Sequence, residues 1–159
     1  MRTTKERGLY KEKIKQALFS SENISEILLG DTSELSSGNK AKLFNDFVKS
    51  HLFVDGTLDN EGTYIFFDVL TRSVSSQVKN CTIVMYVICH RDILDYYYKE
   101  GYYGNRTDIL SQMIEDCLVC DEKVASSFGI GKITLDSVEL YNSHDYYGCI
   151  MTFSAPDFR

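Results

Sequence analysis

Between Cys81 and Cys89 the chain reads Cys-Thr-Ile-Val-Met-Tyr-Val-Ile-Cys, nearly unbroken in apolar and β-branched side chains. Such a run is far shorter than the ~20 residues that a bilayer-spanning helix needs. It reads as the central strand of a sheet, covered on both faces, because half-exposed strands alternate more cleanly. A neighbour precedes it. Thr63-Tyr-Ile-Phe-Phe-Asp-Val-Leu70 is aromatic and β-branched, and the polar stretch from Ser73 to Asn80 reads as a turn between the two.

Around this pair the periodicity predicts the remaining elements. From Thr4 to Leu29 the spacing is loosely helical, with Leu9, Ile14 and Leu18 inward, Ser21 or Asn23 capping a second short turn, and Gly30 closing it. Asp31 to Lys40 reads as a surface loop, and Ala41 to Val48 as a short helix or irregular segment. Arg106 to Val119 returns to helical spacing, with Ile109, Leu110, Met113, Ile114, Cys117 and Leu118 on one stripe and Asn105 or Thr107 as cap. After a turn at Gly129 and Gly131, Lys132 to Leu140 alternates and places Ile133, Leu135 and Val138 inward with a register change. Asn142 to Asp145 is a turn, Tyr147 to Phe153 the return strand, and Pro156 lies beyond it. Hairpin-joined strands with segregated helices predict an α+β fold: a mostly antiparallel sheet packed with two or three helices. A length of 159 residues suits a single domain, with a helical segment and loop over 1–50 and the sheet and long helix over 51–159.

Charge narrows the function classes. Residues 1–50 carry 9 basic and 7 acidic side chains, and 51–159 carry 8 and 16, for a net −6. A balance of that sign repels phosphate, which disfavours general nucleic-acid binding. The basic excess sits at Arg2, Lys5, Arg7, Lys11, Lys13 and Lys15. The charged start has no apolar stretch of the secretory type, which predicts a soluble, intracellular product with no membrane contact. Five cysteines then read as reduced core thiols.

The search for chemistry yields little. Cys117-Leu-Val-Cys120 falls at the end of a helix, where the dipole raises a thiol pKa, and a zinc site would have to recruit the scattered His90, His144 or Cys149. His51, His90 and His144 show no nucleophile spacing, and His90-Arg91-Asp92 lacks the other parts of a kinase loop. Gly129-Ile-Gly131 meets no phosphate-loop pattern. No enzyme, cofactor or metal is expected. What stands out is aromatic: Asp95-Tyr-Tyr-Tyr-Lys-Glu-Gly-Tyr-Tyr-Gly104 places five tyrosines in one loop, with Tyr146 and Tyr147 further on. Tyrosine offers large contact area at low entropic cost, so this loop reads as a protein interface.

The order and spacing of several of these segments resemble tailed-bacteriophage neck proteins, the tail terminator (tail completion) and head–tail connector group. The resemblance is carried by Tyr64-Ile-Phe-Phe-Asp68, by Cys81 through Asp92, by Gly104-Asn-Arg-Thr-Asp-Ile-Leu110, and by the close Leu135 to Tyr141 and Asp145 to Phe153. It covers about 63 to 158, while the basic start from Arg2 to Lys15 has no match in the pattern. The resemblance implies a structural virion protein with no catalytic residue. Such a protein is assembled in the host bacterial cytoplasm and located in the tail or neck. Its subunits would form a homo-oligomeric, commonly hexameric ring that caps the tail tube and joins it to the head, with DNA passing through the lumen unbound. The alternative is a head-side adaptor or stopper, and a small zinc or thiol module using Cys117, Cys120 and His144 is the remaining class. The resemblance implies interface roles for Tyr96, Tyr97, Tyr98, Tyr102 and Tyr103, with Arg106 and Asp108 fixing the start of the long helix.

Overall fold

A computed structural model describes residues 3–52, 62–73, 78–121 and 132–158. Positions 74–77 of the expected Ser73–Asn80 turn, the Gly129–Gly131 turn and Arg2 lie outside the described residues. Within them are helices α1 (Thr3–Ser20), α2 (Glu22–Leu29), α3 (Ser37–Phe47) and α4 (Arg106–Glu115). The strands are β1 (Val48–Lys49), β2 (Thr63–Ser73), β3 (Val78–His90), β4 (Thr134–Asn142) and β5 (Tyr146–Phe158). They form one sheet in the order β1-β2-β3-β5-β4, antiparallel except for the short β1–β2 pairing. The α+β class read from the sequence is the observed one.

Local chemistry sets the helix boundaries. Ser21 accepts the Ile24 N–H at 3.3 Å and so starts α2, which ends where the Gly30 N–H bonds to the Glu26 carbonyl at 2.8 Å. Ser36 caps α3 by accepting the Asn39 N–H at 3.2 Å, so this helix begins inside the stretch expected to be a loop. In α1 the buried stripe is Tyr10, Ile14 and Leu18, and the expected inward Leu9 is exposed. Beyond Glu115 the helix continues as a single π turn, Asp116–Cys120, which keeps Leu118 buried.

β3 is the central strand, as expected, but it is not covered on both faces. Cys81, Ile83, Met85 and Val87 are buried against the helices, while Thr82, Val84 and Tyr86 on the opposite face are half-exposed. The helix-side core joins α1, α2 and α4 to the sheet through residues such as Leu18, Ile27, Phe67, Met85, Ile114 and Phe153. Each such fully buried side chain contributes roughly 1.5–3 kcal/mol. At one end of the other face Tyr64, Phe66, Ile88 and Tyr146 form a smaller aromatic cluster. Apolar composition on both faces of β3 therefore reflects one true core face and one partly covered face.

Two further differences concern β4 and β5. β5 runs on through Pro156, which pairs with Asn80, instead of ending before it. Among the described residues the pairing of β4 with β5 stops at Ser154, two residues short of the proline. The register shift between Leu135 and Ser137 is present as expected, yet Val138, paired with Met151, is exposed.

The edge of β2 is closed by side chains. β1 pairs only with Ile65 and Phe66, and past them the Arg7 Nε donates to the Val69 carbonyl at 2.5 Å. Arg7 and Lys11 also meet the Asp68 carboxylate at 2.7 and 2.9 Å. Burial alone would raise the Asp68 pKa, but Lys11, the Val69 N–H and Arg7 outweigh it and hold the carboxyl below its ordinary range.

Two outcomes test this account. A Cβ on Gly148 would run into the Val87 carbonyl and the Ile88 backbone. Gly148→Ala is expected to cost about 1–3 kcal/mol, lowering the melting temperature by roughly 3–10 °C in calorimetry. Because the folded-state pKa of Asp68 is depressed, its contribution is present above the unfolded carboxylate value and lost as pH falls through the folded one. Urea unfolding should therefore find Asp68→Asn less stable than the parent at pH 7, with the gap closing below about pH 4.

A candidate interface at the tyrosine loop

The loop from Ile93 to Asn105 connects β3 to α4, and its two ends are set by local caps. At its start His90 Nδ1 accepts the Asp92 N–H at 3.2 Å, which begins a short 3-10 turn over Arg91–Ile93. The His90-Arg91-Asp92 triplet thus forms the cap and the first two residues of this turn. At its end Asn105 accepts the Asp108 N–H at 3.0 Å, and Asp108 Oδ2 in return accepts the Asn105 N–H at 3.0 Å. This capping box fixes the first turn of α4. Gly104 precedes it at φ 107°, a conformation open to glycine, and a Cβ there would lie 2.5 Å from the Asp108 carboxylate.

Arg106 ties the loop to the rest of the fold. Its Nε donates to Thr63 Oγ1 at 2.6 Å, and a terminal nitrogen donates to the Ile27 carbonyl at 2.7 Å. Its guanidinium lies 5.0 Å from the centre of the Tyr97 ring. Burial lowers the Arg106 pKa from its ordinary value, with Cys89 and Tyr97 acting in the opposite sense. Its backbone N–H bonds to the Leu94 carbonyl at 2.8 Å, which closes the loop at its neck.

The tyrosines divide into two sets. Tyr97 and Tyr102 point inward and are half-buried. Tyr97 reaches Glu26 Oε1 at 3.5 Å, and Tyr102 donates to Asp116 Oδ2 at 3.1 Å. Burial first, and then those carboxylates, push both phenols above their ordinary pKa, so both stay neutral donors. Tyr96, Tyr98 and Tyr103 are 79%, 81% and 77% exposed. Gln112 holds the last of these by its backbone. Its Nε2 donates to the Tyr103 carbonyl at 2.6 Å, and its Oε1 accepts the Tyr103 N–H at 3.1 Å. Three rings therefore project from a loop whose backbone is already fixed, which is the arrangement that lowers the ordering cost of association. Tyr146 belongs to the aromatic cluster on the sheet and not to this outward set.

Beside the loop runs a groove of about 670 Å³ lined by Glu22, Glu26, Lys40, Tyr97 and Arg106 among others. Its acids and cations interleave, and Lys99 pairs with Glu26 at 3.4 Å across its margin. The thiols do not converge on it. Cys117 Sγ bonds to the Ala17 carbonyl at 3.3 Å, and burial pushes its pKa up to about 11, while Cys120 is exposed. His144 is exposed on the β4–β5 turn. Among the described residues no three His, Cys, Asp or Glu side chains gather as a metal site.

Of the two residues expected to fix the start of the long helix, Asp108 takes part in the capping box, while Arg106 is the first helical residue and sends its side chain to β2 and α2. Gln112, Glu26 and Thr63, which anchor the loop, carry no local signal in the sequence. Removing the guanidinium in Arg106→Ala strands the Ile27 carbonyl and is expected to cost about 1–3 kcal/mol in urea unfolding. Amide exchange should accelerate across 95–104. Arg106→Lys should recover only part of this, since an ammonium has no fork to serve two acceptors and a ring together.

No curated protein matches the chain. A family model does: that of YomW, over residues 12–155, from within α1 into β5. The tyrosine loop, Arg106 and the whole sheet core lie inside the matched span. The family's name is of the phage-gene kind, in keeping with a phage-associated protein. With all but its two ends matched, the chain belongs to the YomW family.

Proposed function

We propose that this protein is a structural component of the phage neck, a tail terminator whose copies form a ring on the tail tube and join it to the head. The observation that carries the reading is the rigid platform of Tyr96, Tyr98 and Tyr103, exposed and held by Arg106 and Gln112. Exposed aromatic rings on a fixed backbone suit a permanent protein contact, and in this reading they face the tube. The family membership supports a phage setting. The order of strands and long helix follows the resemblance noted from the sequence, and the net −6 charge suits a lumen that passes DNA without retaining it. The protein would act in the virion without catalysis, cofactor or membrane.

Light scattering with negative-stain imaging is expected to find closed rings, alone or on added tube protein. A strict monomer carrying stoichiometric zinc would overturn the reading in favour of a thiol module. Pull-down against tube protein and against portal protein separates the terminator from a head-side connector. Changing Tyr96, Tyr98 and Tyr103 together to Ser should weaken tube binding by at least ~30-fold, the effect of losing one aromatic hot spot of about 2 kcal/mol. Unchanged binding would remove the loop from the contact.

A further inference from the structure

We propose that the groove beside the tyrosine loop binds a short zwitterionic ligand, a peptide or peptide-like molecule that carries one anionic and one cationic group. The inference stands apart from the ring reading, since neither a second copy nor tube protein enters it.

The groove lies between α2, the 31–33 turn and the tyrosine loop, and at about 670 Å³ it falls within the ~300–1,000 Å³ of small-ligand sites. Glu22 and Glu26, one turn apart on α2, belong to one wall. Glu26 is already engaged, by Lys99 at 3.4 Å and by the Tyr97 hydroxyl at 3.5 Å. The other charges of the groove are not neutralised. Among the described residues Glu22, Asp31, Lys40 and Arg106 form no ion pair, either with one another or with any other side chain. Two acids and two cations thus line one groove without meeting, and a ligand bearing both signs can bridge them.

Arg106 carries the argument furthest. It is half-buried, and its bonds go to the neutral Thr63 hydroxyl and Ile27 carbonyl and to the Tyr97 ring. Its other terminal nitrogen has no acceptor among the described residues. Charges drawn out of water are ordinarily paired, so this one lacks a counter-ion. The groove is also preformed. The Ser33 N–H holds the Asp31 carboxylate at 2.9 Å, and Lys40 lies 5.4 Å from the centre of the Phe19 ring. Fixed walls lower the ordering cost of binding.

Spacing and charge set the ligand. Arg106 bonds α2 at Ile27, five residues past Glu22, which is about 7–8 Å along the helix. The two charges of a free α-amino acid are too close to span that distance. The termini of an extended tripeptide, ~10 Å apart, reach it. A ligand with anions alone would face Glu22 and Asp31 uncompensated, and one with cations alone would face Lys40 and Arg106.

The test titrates the full-length protein with peptides at constant ionic strength and follows the Thr32 and Ser33 amides and the Arg106 Nε–H by NMR. Triglycine, with free termini, should give saturable shifts at these groups. Glu22→Gln and Lys40→Gln, which leave Arg106 and the fold intact, should each weaken its binding by about 3–5-fold, the effect of losing one exposed charge pair. N-acetyltriglycine has lost its cation, so it should bind more weakly and respond to Lys40→Gln but not to Glu22→Gln. The capped tripeptide acetyl-Asp-Gly-Lys-amide carries both charges within a continuous chain. Shifts with it alone assign a segment of a longer partner, and shifts with triglycine alone assign a free peptide; either supports the site. No saturable shift with either peptide would overturn the proposal. N-acetyltriglycine binding as tightly as triglycine, with Glu22→Gln without effect, would overturn it in favour of a plain anion site. Neither failure touches the ring reading, which is decided by mass and imaging.

Discussion

The guanidinium of Arg106 is the point on which four elements converge. It binds the last turn of α2, the first residue of β2 and the ring of Tyr97, and its own backbone opens α4. A planar, permanently charged fork can satisfy acceptors in two directions and still stack on an aromatic face. Without it the Ile27 carbonyl would lose its donor, and the tyrosine loop would be tied down mainly by Gln112 and the Tyr102–Asp116 bond. The exposed rings owe their fixed placement to a residue that is itself half-buried.

The sheet shows how one strand composition can serve two unequal faces. Helices cover one side of β3, while the other is closed at one end by Tyr64, Phe66, Ile88 and Tyr146 and half-open elsewhere. The ends of the sheet are equally unequal. At one, Arg7 takes the Val69 carbonyl and joins Lys11 on Asp68; at the other, β4 is the last described strand, with Val138 and Leu140 exposed.

Much of the fold was legible because its signals were local. The β2–β3 pair, the stripe from Ile109 to Leu118, a cap at Ser21 or Asn23 (Ser21 in the fold) and the β4 register shift all follow from residues close in sequence. The failures were tertiary. Leu9 and Val138 fit an inward period, but the neighbouring element does not extend over them. β1 escaped notice because a two-residue strand has no period at all. α3 begins earlier than its composition suggests, because Gly38 and Asn39 look like loop residues while Ser36 caps them into the helix. In the candidate interface the five loop tyrosines were visible as a cluster, yet their division into anchors and exposed rings depends on Glu26, Asp116 and Gln112, which only the fold brings near.

The anchoring of the loop also has a kinetic side. Arg106 bonds to residues 43 and 79 positions away in the chain, and Tyr97 to one 71 away. Contacts of such sequence separation carry a loop-closure cost that local contacts escape, and so tend to form after local structure. On that ground the tyrosine platform is expected to be completed late, once α2 has docked on the sheet. A nascent or partly folded copy carries the same tyrosines but not their arrangement, so a partner that read that arrangement would meet it only on chains that have finished folding.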